Sequence, residues 1–169
     1  MVESDGVQEY HKRFGHPTHN DTELFELLTV GIFQAGLSWK ASASKLPVFR
    51  QVFFNFDIKK VAALNPEDLS IPMNNPDMIH NNRKIKAVII DARAVLKVQS
   101  EFGSFSKYLW SFTDNQPKLV DGALEDQLAN NQSFIQNIVK DLKRRGFTFV
   151  GPIVTMMFLR AAGIVQSVN

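Results

Sequence analysis

Cysteine is absent from these 169 residues. That excludes a disulfide framework, a thiol nucleophile and a thiolate metal site, while leaving the redox compartment open. No run approaches the roughly 18 apolar residues that span a bilayer. The opening residues Met1-Val2-Glu3-Ser4-Asp5 lack a basic stretch followed by an apolar segment, so no secretory signal is read there and a cytoplasmic protein is expected. Internal repeats, low-complexity tracts and a dividing linker are also missing, which makes residues 1–169 a single expected domain. No segment alternates convincingly as a strand does.

What is present is apolar and aromatic. A hydrophobic fraction of 44% with fourteen Phe residues is enough for a packed core at this length. The formal net charge of +2 conceals an uneven distribution. Residues 1–26 carry six acidic side chains against two basic ones. Residues 80–99 carry Arg83, Lys84, Lys86, Arg93 and Lys97 against a lone Asp91, and residues 140–169 carry five basic side chains against Asp141. Two such segments either converge on one face to meet a polyanion or remain two solvated helix faces.

Helix signals recur along almost the whole chain. Asn20 caps a helix, with Glu23 placed to complete a capping box, and Leu24, Phe25, Leu27, Leu28 and Ile32 give an apolar face. Asp57 caps a short helix through Leu64, and Asn65-Pro66 opens another. Residues 71–76 read as a proline-punctuated loop. A long amphipathic helix is expected from Asn82 to Val98, then a short one from Phe105 to Phe112 capped by Ser104. After a polar, irregular stretch from Asp114 to Leu124 come a helix from Gln132 to Arg145 and a last one from Gly151-Pro152 to Gly163. The expected fold class is all-α, a single compact domain of many short helices.

The most informative stretch is Phe33-Gln34-Ala35-Gly36-Leu37-Ser38-Trp39. Gly36 supplies a left-handed residue that ends one helix, and Ser38 caps the next, which begins with Trp39. A Trp at such a corner either lines a pocket or plugs the core.

This stretch resembles the signature of the DNA-3-methyladenine glycosylase I family, small helical enzymes that remove methylated adenine from DNA. Further segments recur in the family's order: Glu101-Phe102-Gly103-Ser104-Phe105, Tyr108-Leu109-Trp110-Ser111-Phe112, Lys140 to Phe147, and Ala161-Ala162-Gly163-Ile164-Val165. The resemblance covers nearly the whole chain and is weakest at its ends and across Pro117 to Gln132. It implies a helix-hairpin-helix element docking on DNA backbone, with Ile79, Asn81, Asn82, Arg83 and Lys84 at the contact. A helix N-terminus with free N–H groups suits phosphate. Asp77 stands where the family has glycine, and an ordinary connecting turn is the other reading.

For the base, the resemblance implies a pocket walled by Tyr10, Phe14 and Trp39, with hydrogen bonds from Gln34 or Ser38 and water as the nucleophile. The chain departs from the pattern at several points. The family's base-recognising glutamate is Gly31 here, so no catalytic side chain is retained, and the second pocket tyrosine is Val7. The threonine after Gly151-Pro152 is Ile153, and the tyrosine beyond it is Met156. Family members tie their termini with zinc held by two cysteines and two histidines. Only His11 remains here, and the C-terminal histidine position is Val168, so no metal and no other cofactor is expected. The expected partner is alkylated duplex DNA, met by a monomer. Two functions stay open: an N-glycosylase, or a relative that binds DNA or a ligand without chemistry.

Overall fold

The computed structural model describes residues 4–168. Within them lie eleven α-helices: α1 (Asp5–Arg13), α2 (Asp21–Gln34), α3 (Trp39–Ala43), α4 (Leu46–Val52), α5 (Ile58–Ala62), α6 (Ser70–Met73), α7 (Asn82–Phe102), α8 (Phe105–Ser111), α9 (Leu124–Asn130), α10 (Gln132–Arg144) and α11 (Pro152–Ala161). A 3-10 turn at Phe54–Phe56 and two short strands, β1 (Lys118–Val120) and β2 (Val165–Ser167), complete the described chain.

Local capping chemistry sets most of the helix starts. The side chains of Asn20, Ser38, Asp57, Asn81 and Ser104 each accept a backbone N–H three residues on. The expected capping box at α2 closes differently. Glu23 turns to Thr18, whose hydroxyl donates to it, and Thr18 Oγ1 in turn accepts from Asn20 N. Asn65-Pro66 opens no helix: Asn65 Oδ1 accepts from Glu67 N in a local turn, and the next helix is α6. Residues 71–76, read as a loop, therefore begin inside that helix. Pro72 fits there because first-turn N–H groups have no helical partner to lose.

Helix α2 sits at the centre. Ten of its fourteen residues are buried, so it is enclosed nearly all round instead of showing one apolar face. It packs against α3, α7, α8 and α11. Phe25, Phe33, Phe49, Phe53, Phe56, Phe105 and Phe158 fill the space between these helices. Helix α7 runs to Phe102, four residues beyond the expected end, because Gly103 at φ 92° supplies the stop.

The strands are the clearest departure from the expected pattern. β1 lies in the stretch read as irregular and pairs in parallel with β2, Lys118 opposite Val165 and Val120 opposite Ser167. This pairing ties down the end of the described chain. Gln127, fully buried on α9, reinforces it by donating to Gly122 O and Ser167 Oγ.

Candidate base-binding cleft

The corner between α2 and α3 is clamped from three sides. Gly36 takes φ 79°, a conformation costly for residues with a Cβ. The buried Ser42 hydroxyl donates to Val30 O at 2.8 Å, pinning α3 to α2. The Lys84 ammonium donates to Phe33 O at 3.1 Å and to Ala35 O, the carbonyls at the end of α2. Lys84 is buried, and desolvation lowers its pKa. Its charge is thus turned inward onto the corner and away from the surface, a correction to its expected place on the DNA backbone. Lys84→Met keeps the length of the stem but leaves both carbonyls without this donor. A loss of about 1–2 kcal/mol is expected in urea unfolding, with a shift in Trp39 emission as the corner loosens.

Two glycines bring the remaining walls close. A Cβ on Gly6 would lie 2.4 Å from Ala43 O, so only glycine lets α1 approach α3 this tightly. A Cβ on Gly163 would lie 2.4 Å from Pro17 N, and this close approach seats residues 14–18 on the end of α11. Gly15 N donates to Ala161 O and Thr18 N to Ala162 O there.

The result is a cleft of about 350 Å³ lined by Tyr10, His11, Phe14, Trp39, Met157 and Arg160. Tyr10 and Trp39 have ring centroids 6.1 Å apart at an interplanar angle of 31°, and Phe14 meets Tyr10 edge-on at 5.8 Å. Trp39 is half-buried, so of the two readings of that residue the lining one holds. Tyr10 is only 2% exposed, and burial pushes its hydroxyl up to about 12, against the pull of Arg13 and Arg160. It therefore remains a neutral hydrogen-bond donor at ordinary pH.

Gln34 and Ser38 do not line this cleft. The Ser38 hydroxyl accepts from Ala41 N at 3.0 Å as the cap of α3. Gln34 Oε1 is buried without a partner among the described residues. Gly31 faces α11, where a Cβ would meet Val154 at an ordinary 3.9 Å. Among the described residues no carboxylate lines the cleft. Glu26, the nearest preceding acid on α2, is committed elsewhere: Arg50 Nε donates to it at 2.8 Å and Arg13 lies 3.6 Å away. What sequence reasoning missed is Arg160, which counted there only as one charge of a basic segment.

The N-terminus of α7 adjoins the turn before α11. Arg83 is exposed and its guanidinium lies 5.6 Å from the centre of the Phe149 ring, beside a shallow groove that Lys86 and Thr148 help to line. The basic segments adjoin here, but from the second only the uncharged Thr148 and Phe149 line the groove. Several of their charges are used internally, since Lys86 pairs with Glu67 at 2.8 Å and Arg93 donates to Ala62 O and Leu64 O at the end of α5. Asn81 caps α7 by accepting from Lys84 N, Asn82 is exposed, and Ile79 is half-buried in the preceding loop.

A profile described as methyladenine glycosylase matches residues 1–168. The chain belongs to the methyladenine glycosylase family. It is 34% identical over 158 residues to DNA-3-methyladenine glycosylase 1 of Escherichia coli (strain K12), covering 93% of this chain and 84% of that protein. It is 31% identical over 159 residues to the DNA-3-methyladenine glycosylase of Haemophilus influenzae, covering 94% and 86% respectively. Among solved structures, 3-methyladenine DNA glycosylase I from Staphylococcus aureus superposes with a TM-score of 0.84 at 31% identity, covering 98% of this chain and 88% of that one.

The zinc that the family resemblance implies does not fit this member. There is no cysteine, Val168 carries no donor, and His11 lies against the Trp39 ring at 5.9 Å on the cleft wall. Among the described residues no cluster of three His, Asp or Glu side chains could hold a metal. The β1–β2 pairing fastens the C-terminal segment here.

Proposed function

We propose that this glycosylase-family chain excises alkylated adenine from duplex DNA in base-excision repair, acting as a cytoplasmic monomer. The observation that carries the reading is the aromatic cleft, whose Tyr10, Phe14 and Trp39 rings form walls for an extruded base. The names of the relatives in E. coli, H. influenzae and S. aureus support the same substrate. No helix among the described residues is long and apolar enough to cross a membrane.

The DNA backbone is met at the start of α7, in a helix-hairpin-helix element made by α6, the loop through Asn81 and α7. Exposed Arg83 and the first N–H groups of α7 supply the contact, which is insensitive to sequence and weakened by salt. Inside the cleft the base stacks between rings, and water attacks C1′ of the sugar from which the base departs. Gln34, one helix end away from Trp39, carries a buried Oε1 with no partner among the described residues and is the proposed acceptor for the base.

The test is release of methylated adenine from alkylated duplex DNA. Release above the buffer rate is expected, and Trp39→Ala should slow it by about 10–100-fold, the worth of one stacked base. No release from the parent protein would remove the reading, and retained duplex binding without release would leave a non-catalytic relative.

A further inference from the structure

The groove between α7 and the turn before α11 has a strained wall. Phe149 takes φ 60°, a left-handed conformation that an aromatic residue keeps only where its neighbours fix the backbone. They do so on both sides. Thr148 N donates to Asp91 Oδ1 at 2.7 Å, and the Thr148 hydroxyl donates to the same oxygen at 3.2 Å. Beyond Phe149, the buried Thr155 hydroxyl donates to Val150 O at 2.9 Å. The turn is thus fastened to α7 through Asp91 and to α11 through Thr155. Held in this way, the Phe149 ring lines the groove with the Arg83 guanidinium 5.6 Å from its centre. Of Arg83, Lys84 and Lys86 at the start of α7, Lys84 is turned into the α2–α3 corner and Lys86 is paired with Glu67 at 2.8 Å. Arg83 is left to meet an external anion, and its seat is a ring. A ring attracts the cation without taking its N–H donors, as a carboxylate would.

We propose that Asp91 is a positioning residue for duplex binding, its carboxyl fixing the turn whose Phe149 ring preorganises Arg83 for a phosphate. This rests on the reading of the start of α7 as the DNA contact. Asp91 has no exposed surface and reaches no ligand itself. It acts through Thr148, then Phe149, then Arg83. Without an acceptor at position 91, the exposed Thr148 turns its N–H to water and the turn relaxes out of the left-handed region. The ring then leaves the guanidinium, and Arg83 must give up its rotamer freedom when it meets the phosphate instead of beforehand.

The test reads the binding of a fluorescein-labelled, undamaged duplex by anisotropy over a range of salt, so that base excision does not enter. Arg83→Gln should weaken binding by about fivefold to tenfold at about 0.1 M salt and lower the slope of log affinity against log salt by about one, as a lost phosphate contact does. Asp91→Ala should weaken binding by about threefold, the worth of one exposed cation–π seat, and should cost nothing further once Arg83 is replaced. Asp91→Asn keeps an acceptor for Thr148 and should restore the parent affinity to within about twofold. Phe149→Ala removes the ring while leaving the Asp91 bonds in place, and it serves as the second probe if alanine at the buried position prevents folding. It should show the same loss and the same dependence on Arg83. Equal losses with and without Arg83 overturn the inference, because a general loosening of the fold would act alike in both. Full affinity in Phe149→Ala also overturns it. The two failures are distinguishable. No duplex binding by the parent, or undiminished binding by Arg83→Gln, sinks the docking reading and the inference with it. A loss on Arg83→Gln with none on Phe149→Ala sinks the role of Asp91 alone.

Discussion

Arg50→Met is expected to destabilise the protein by about 3 kcal/mol in chemical denaturation, the lower end of the range for stripping one partner from a buried ion pair. Glu26 is buried on the central helix, and its carboxylate takes the Arg50 Nε hydrogen bond at 2.8 Å and lies 2.7 Å from Nη2. The same guanidinium forks onto both oxygens of Glu9, with bonds of 2.8 and 2.6 Å. Arg50 is therefore the pin between α1, α2 and α4. The hydrogen bond with Glu9 raises the Arg50 pKa and lowers that of Glu9, so both groups stay charged at neutral pH. Without Arg50, the Glu26 charge would sit in the core facing only Arg13 at 3.6 Å, which is why the loss falls short of the full range. Glu9 is far more exposed, and its release costs little. The decisive control is the double variant Arg50→Met with Glu26→Gln. It should recover more than half of the loss, because the uncompensated charge is removed with its partner. Equal destabilisation in single and double variants would assign the effect to lost packing of the Arg50 stem.

What could be read from the chain follows from range. Caps at Asn20, Ser38, Asp57, Asn81 and Ser104 and the stop at Gly36 act within three or four residues, and each lies where its residue type places it. The aromatic walls came from a resemblance that extends over almost the entire chain. The misses are non-local. β1 and β2 have three residues each and are defined only by pairing with one another across more than forty intervening positions. Three residues cannot display a strand period, and neither strand is apolar enough to stand out. Lys84 and Arg83 are neighbours with the same charge, yet one points into the α2–α3 corner and the other to solvent. That difference depends on α2 ending beside α7, which no window of sequence contains. Arg160 enters the cleft for a similar reason: α11 docks against residues 14–18 through the close approach at Gly163. A lone charged residue following Met156, Met157, Phe158 and Leu159 on a largely apolar helix was the available signal.

Asp91→Asn should abolish a fall in stability that the parent shows as pH rises. Asp91 lies on α7 with no exposed surface; Oδ1 accepts from Thr148 N at 2.7 Å and from the Thr148 hydroxyl at 3.2 Å, while Oδ2 is buried without a partner among the described residues. Burial pushes its carboxyl well above the ordinary 3.8, and the two bonds from Thr148 offset only part of that. The folded protein therefore holds a proton that the unfolded chain has already lost. Stability must then fall with rising pH from about 3.8 up to the folded-state value, by about 1.4 kcal/mol for each pH unit in that window. Asp141 contributes with the opposite sign. Burial raises it, but hydrogen bonds from Tyr108, Arg144 and Arg145 outweigh that and hold it down to about 2, so its stabilisation is lost only as pH falls below 3.8. The two windows do not overlap, which lets the Asp91 slope be isolated. Asparagine keeps the acceptor for Thr148 but places an unpartnered donor where Oδ2 stood, at a cost independent of pH. The two stability curves should therefore cross, with the parent ahead in acid and the variant ahead toward alkaline pH. The difference should also appear in amide exchange at Thr148, because that amide anchors the turn in which Phe149 takes φ 60° beneath Arg83. Parallel curves would mean that Asp91 titrates in the folded protein as it does in the unfolded chain, which its burial and its bare Oδ2 forbid.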